Sequence, residues 1–94
     1  MTTLWIDLET RSRCDLRKYG LYNYAADKST EILIACYAID NGPIRTWQAW
    51  KGKPIPTQLS NALTNKRVEV RAHNAAFERM LLAARGYTVP IERW

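Results

Sequence analysis

Two acids at the end of the first apolar stretch, Asp7 and Glu9, carry the first chemical suggestion in the chain. Residues two apart in a strand project from the same face, roughly 6–7 Å apart at their α-carbons. Carboxylates so placed can share a divalent ion. Mg²⁺ takes one or two protein carboxylates and completes its shell with water or phosphate, so a strand-borne Asp-x-Glu suits a phosphodiester-cleaving centre. Taken alone, the triplet is more often a solvated strand end, because short motifs match by chance. A second constellation is His73-Asn74-Ala75-Ala76-Phe77-Glu78. It falls where a short strand meets a helix, with Glu78 in the first helical turn, where the helix dipole favours a negative charge. Asn74 there is also an ordinary helix N-cap, and a lone histidine such as His73 is commonly a surface residue.

The elements that must hold these groups follow from periodicity. Leu4, Ile6 and Leu8 alternate with Trp5, Asp7 and Glu9, which predicts a two-faced strand over Thr3–Thr10. Arg11 to Ser29 breaks that pattern with Gly20, the cations Arg11, Arg13, Arg17 and Lys18, and three tyrosines, and is expected to be a connecting excursion with one or two short helical turns. Glu31–Asp40 is apolar on both faces and reads as a central strand. Asn41-Gly42 supplies a turn, and Pro43–Trp50 is expected to return antiparallel. Thr57 is expected to cap a short helix bearing Leu59, Ala62 and Leu63. Val68–Ala72 follows as a strand. Ala75–Arg85 is the strongest helix, with Phe77, Met80, Leu81 and Ala84 as its core face and Gly86 as its stop. Pro90 is expected to keep the tail, Tyr87 to Trp94, irregular. Strands first and β-α units afterwards imply an α/β domain with a mixed sheet.

Composition bounds the rest. The 94 residues allow one domain, and 47% hydrophobic against 24% charged residues is an ordinary globular balance. A formal net charge of +5 favours polyanionic partners through phosphate contacts, or serves only as a soluble basic surface. No segment approaches the roughly 18 apolar residues of a membrane span, and the N-terminus lacks the pattern of a secretory leader. Cys14 and Cys36 stand apart, which fits reduced thiols in a cytoplasm.

Trp5-Ile6-Asp7-Leu8-Glu9-Thr10 and Ala72-His73-Asn74-Ala75-Ala76-Phe77-Glu78-Arg79 together resemble the first and second motifs of DnaQ-like (DEDD) 3'-5' exonucleases. The segments Asp15–Gly20 and Tyr24–Leu33 resemble the exonuclease domains of phage-type family A DNA polymerases. The resemblance implies a ribonuclease H-like mixed sheet, an antiparallel meander followed by β-α-β-α, and proofreading-type hydrolysis of terminal phosphodiesters of DNA to nucleoside 5'-monophosphates. It implies Asp7, Glu9 and Glu78 as catalytic, metal-binding carboxylates for Mg²⁺ or Mn²⁺, two ions in relatives and one here. Glu78 stands where many relatives carry Asp. The resemblance also implies Thr10, Asn74 and His73 as contacts to a single-stranded or frayed 3' end, and Phe77 as a packing residue.

The third motif of that family, a Tyr or His followed one helical turn later by a metal-binding Asp, has no counterpart: no Asp follows Asp40. Residues 1–94 therefore read as a partial exonuclease domain, truncated at its C-terminus, weak or inactive alone. A polymerase domain, the remaining half of the exonuclease domain, or a second copy is the expected partner, because Trp5 and part of the sheet would lack cover. The alternative is a non-catalytic module that holds single-stranded nucleic acid through Arg11, Arg13, Arg17 and Lys18, with Tyr19, Tyr22 and Tyr24 stacking on bases.

Overall fold

Alternating Leu4, Ile6 and Leu8 with polar neighbours produces strand β1 (Thr3–Arg11) at the heart of the sheet in the computed structural model, which describes residues 2–94. Strand β2 (Glu31–Ile39) runs antiparallel beside it, and β3 (Arg45–Trp47) pairs antiparallel with β2. Strand β4 (Glu69–Arg71) joins the other edge of β1 in parallel, giving the order β3-β2-β1-β4. The fold is thus α/β with a four-stranded mixed sheet, as the element pattern implied.

Register divides the sheet into two unlike faces. Leu4 opposite Ile39, Ile6 opposite Tyr37 and Leu8 opposite Ala35 share the core face. Trp5 opposite Ala38, Asp7 opposite Cys36 and Glu9 opposite Ile34 share the other. Helices α1 (Leu16–Ala26), α2 (Thr57–Thr64) and α3 (Ala75–Ala84) bring Tyr24 and Ala25, Leu59 and Leu63, and Leu81 and Leu82 into one cluster with the core-face residues. Each fully buried leucine in that cluster contributes about 1.5–3 kcal/mol. The face that carries the acids has no such layer, and Trp5 remains 48% exposed.

Local chemistry accounts for the element ends. The Asp15 carboxylate accepts the Arg17 and Lys18 N–H groups and starts α1, which bends at Gly20, where φ is 82°. The excursion is therefore two helical pieces joined at a glycine, close to expectation. Gly86, at φ 92°, ends α3: its N–H reaches the Ala83 carbonyl, and the Tyr87 N–H reaches that of Leu82, the paired bonds of a Schellman stop.

Three local expectations need correction. The return strand covers only Arg45–Trp47, because the Trp47 indole N–H donates to the Lys53 carbonyl and the chain turns into a 3-10 turn at Ala49–Lys51. Thr57 does not cap α2: it is the first helical residue, Pro56 holds the cap position, and no side chain caps the end. Helix α3 is rotated from its expected face. Glu78, Leu81 and Leu82 are buried, Phe77 and Met80 are only partly covered, and Ala84 is exposed.

The tail is mostly irregular, as Pro90 implied, but tightly held. A 3-10 turn at Ile91–Arg93 aims the Arg93 guanidinium at three carbonyls, those of Ala62, Leu63 and Val68. The cation thus satisfies the open end of α2, where carbonyl dipoles favour positive charge.

Candidate active site

The acids reach one place through two elements. β1 projects Asp7 and Glu9 from its open face near its carboxyl end. β4 is parallel and stops opposite Trp5, so the chain turns into α3 beside the portion of β1 that β4 no longer covers. This is the carboxyl-end position at which open α/β sheets bind ligands. A bulge sharpens it: Glu9 pairs with Ile34 and Thr10 with Ile32, leaving Leu33 unpaired directly beside the acids.

Glu78 is the unusual member. It is 2% exposed, and its Oε2 atom is buried without a hydrogen-bond partner among the described residues. Burial first, and the negative charge of Asp7 second, push its carboxyl up to about 7, while the Leu8 backbone N–H pulls weakly the other way. A carboxylate kept in this state is costly unless something positive or a proton accompanies it. Glu78 occupies the middle of the buried stripe of α3, where an apolar residue would be the stabilising choice.

The remaining expected residues fall into distinct surroundings. Asp7 and His73 line a hollow of about 330 Å³ on the open sheet face together with Trp5, Cys36, Ile44 and Arg71. The Arg71 guanidinium lies 5.7 Å from the centre of the Trp5 ring. Asn74 is exposed at the N-cap of α3; its carbonyl accepts the Phe77 and Glu78 N–H groups, and its side chain makes no capping bond. The Asn74 amide is therefore left to solvent rather than consumed by the helix. The Thr10 hydroxyl sits 2.8 Å from the Tyr24 hydroxyl, so its side chain is tied to the core. Phe77 packs against Tyr24 with ring centres 6.1 Å apart, in agreement with a packing role. Tyr24 is buried and cannot stack on a base, which corrects that part of the binding-module expectation; Tyr19 and Tyr22 are exposed.

The charge of Asp7 is felt at Glu78, but the acids do not form a closed cage. Among the described residues, no three His, Cys, Asp or Glu side chains converge to hold a metal ion, and Glu9 stays exposed along β1. Glu78 nevertheless suits a hard divalent ion. A buried carboxyl with an unbonded oxygen, within electrostatic reach of Asp7, is a donor of the kind that Mg²⁺ or Mn²⁺ accepts, the ion filling its other positions with water or phosphate. Residues that the motif reading overlooked are Leu8, through its N–H, and Tyr24, which braces both Thr10 and Phe77. The spacing of Glu78, Leu81 and Leu82 at i, i+3 and i+4 was the available sign that Glu78 faces inward.

Comparison with curated proteins finds 41% identity over 83 residues, 88% of this chain, with the DNA polymerase of Bacillus phage SP02. The chain spans 13% of the length of that relative. No protein-family model and no solved structure matches it. The chain is thus similar to a segment of a phage DNA polymerase.

Proposed function

We propose that this chain carries two of the carboxylate motifs of a metal-dependent 3'-5' exonuclease of the ribonuclease H-like, proofreading type. The observation that carries this reading is Glu78, a buried carboxyl with an unbonded oxygen, close enough for the charge of Asp7 to raise its proton affinity. The similarity to a phage DNA polymerase supports it, as does the meander followed by a parallel β4.

In this reading Asp7 and Glu78 hold Mg²⁺ or Mn²⁺, and Glu9 faces the substrate side from the same strand. A bound ion would supply hydroxide near neutral pH and neutralise charge on the attacked phosphate. The Leu8 N–H fixes one side of the Glu78 carboxylate. The free Asn74 amide and the exposed His73 offer donors to a terminal nucleotide at the head of α3, where the helix dipole favours a phosphate. Thr10 offers its backbone, since its hydroxyl is engaged. No Asp follows Asp40 in these 94 residues, so the third carboxylate of this reading is not among them, and on its own this segment is expected to turn over little substrate.

Titrating Mn²⁺ at pH 8 by calorimetry tests the assignment. Asp7→Ala and Glu78→Gln should each weaken binding at least tenfold, while end-labelled single-stranded DNA is cut slowly or not at all. Equal Mn²⁺ affinity in all three proteins would remove the metal site, and the nuclease reading with it.

A further inference from the structure

The loops on either side of α1 meet at the carboxyl end of β1 and enclose a second hollow, of about 750 Å³, away from the acids. Its lining is Arg11, Ser12, Arg13, Lys28, Ser29 and Glu31. A hydroxyl network builds the floor. The Thr30 hydroxyl, which donates to the Tyr24 carbonyl, lies 2.6 Å from the Ser12 Oγ atom, Ser12 and Ser29 hydroxyls lie 3.3 Å apart, and the Arg13 N–H donates to Ser29 Oγ at 2.8 Å. Asp27 is spent within this network, accepting both the N–H and the hydroxyl of Ser29.

Charge around the hollow is unbalanced. Three cations stand against one acid, and that acid, Glu31, already pairs with Arg11. Among the described residues, neither Arg13 nor Lys28 has a carboxylate within ion-pair reach. Arg13 also borders a neighbouring hollow that contains the half-exposed Tyr19 ring, over which the Lys18 ammonium sits at 5.3 Å. Two unpaired cations, a hydroxyl floor and a half-exposed aromatic ring are the parts of a site for a phosphate with a base beside it. Arg11 follows Glu9 by two residues, roughly 7 Å along the strand, a gap that neighbouring nucleotides of one strand can span.

We infer that the hollow between Arg13 and Lys28 is a phosphate-binding subsite for an internal phosphodiester of a single nucleic-acid strand, with Tyr19 as the platform for the adjoining base. The inference rests on the nucleic-acid reading above but needs neither the metal nor hydrolysis. It gives the strand a direction, from the acids along β1 and out over the start of α1.

The test uses the full chain and a fluorescein-labelled single-stranded oligonucleotide, followed by anisotropy in EDTA between 50 and 200 mM salt. Arg13→Ala with Lys28→Ala should lower affinity about tenfold and reduce the salt slope by about 1.4, the amount expected for two lost contacts to a single strand. Lys66→Ala with Arg85→Ala, an exposed pair elsewhere, should change affinity less than twofold. Equal losses from both pairs would overturn the subsite in favour of diffuse charge. In wild type, the Arg13 and Ser29 amide resonances should shift with the oligonucleotide; shifts with inorganic phosphate alone would mark a free-anion site and refute the strand path. Failure of the nuclease reading would show only in the Mn²⁺ titration.

Discussion

Replacing Glu78 with glutamine separates the charge of this side chain from its shape. Its carboxyl is pushed from an ordinary 4.5 up to about 7. That gap is worth about 3 kcal/mol in favour of the protonated form, at 1.36 kcal/mol per pH unit. The unfolded chain releases this proton near 4.5, whereas the folded chain keeps it to about 7. Between those values the native state binds more protons than the unfolded state, so stability falls as pH rises, and the whole cost is present above pH 7. Glutamine mimics the protonated acid in size and has no charge to bury. Glu78→Gln should therefore exceed wild type by less than about 1 kcal/mol at pH 5 and by about 3 kcal/mol at pH 8.5. Urea unfolding in EDTA, followed by tryptophan fluorescence, measures both. Mn²⁺ at a hundredfold excess over its dissociation constant should return about 2.7 kcal/mol to wild type at the higher pH and little to the variant. A difference between the two proteins that stays constant from pH 5 to 8.5 would refute the argument, because it would mean that Glu78 does not titrate in this range.

Two more outcomes follow from the same contacts. Asp7→Asn removes the second cause of the Glu78 shift but not burial, so the midpoint of the pH-dependent stability loss should move below 7 yet stay above 4.5; no movement would show that the Asp7 charge does not reach Glu78. Arg93→Ala strips the guanidinium from the Ala62, Leu63 and Val68 carbonyls and should cost about 3 kcal/mol in urea unfolding, with Arg93→Lys restoring only part because an ammonium cannot fork to three acceptors.

Strand β1, the apolar strand β2 and the glycine stop after α3 were legible because each depends on neighbours along the chain. Alternation placed Leu4, Ile6 and Leu8 inward, and the structure agrees. The rotation of α3 was not legible by counting apolar residues, since that count excludes a glutamate by construction and so moves the stripe onto Phe77 and Met80. Tyr24 looked like one of three similar tyrosines in a basic tract. Only the packing of α1 against α3 distinguishes it, placing its hydroxyl on Thr10 and its ring on Phe77 while Tyr22 stays 73% exposed. Arg93 had no sequence signal, because its three acceptors lie on α2 and just before β4, far away in sequence.

The conflict at Glu78 is itself informative. Helix α3 gains from every apolar group in its buried stripe, and Leu81 and Leu82 follow that rule. A carboxyl between them and β1 reduces stability in neutral solution, and its unbonded oxygen adds to that cost. If the role of the residue were packing, a leucine would serve better. A polar residue alone does not account for it either, because no hydrogen bond occupies Oε2. What the position does provide is a negative group fixed by the helix, protected from solvent and within electrostatic reach of Asp7 on β1. Sequences break their local packing rules mainly where a site requires it, which is why Glu78 is the residue on which the proposed site turns.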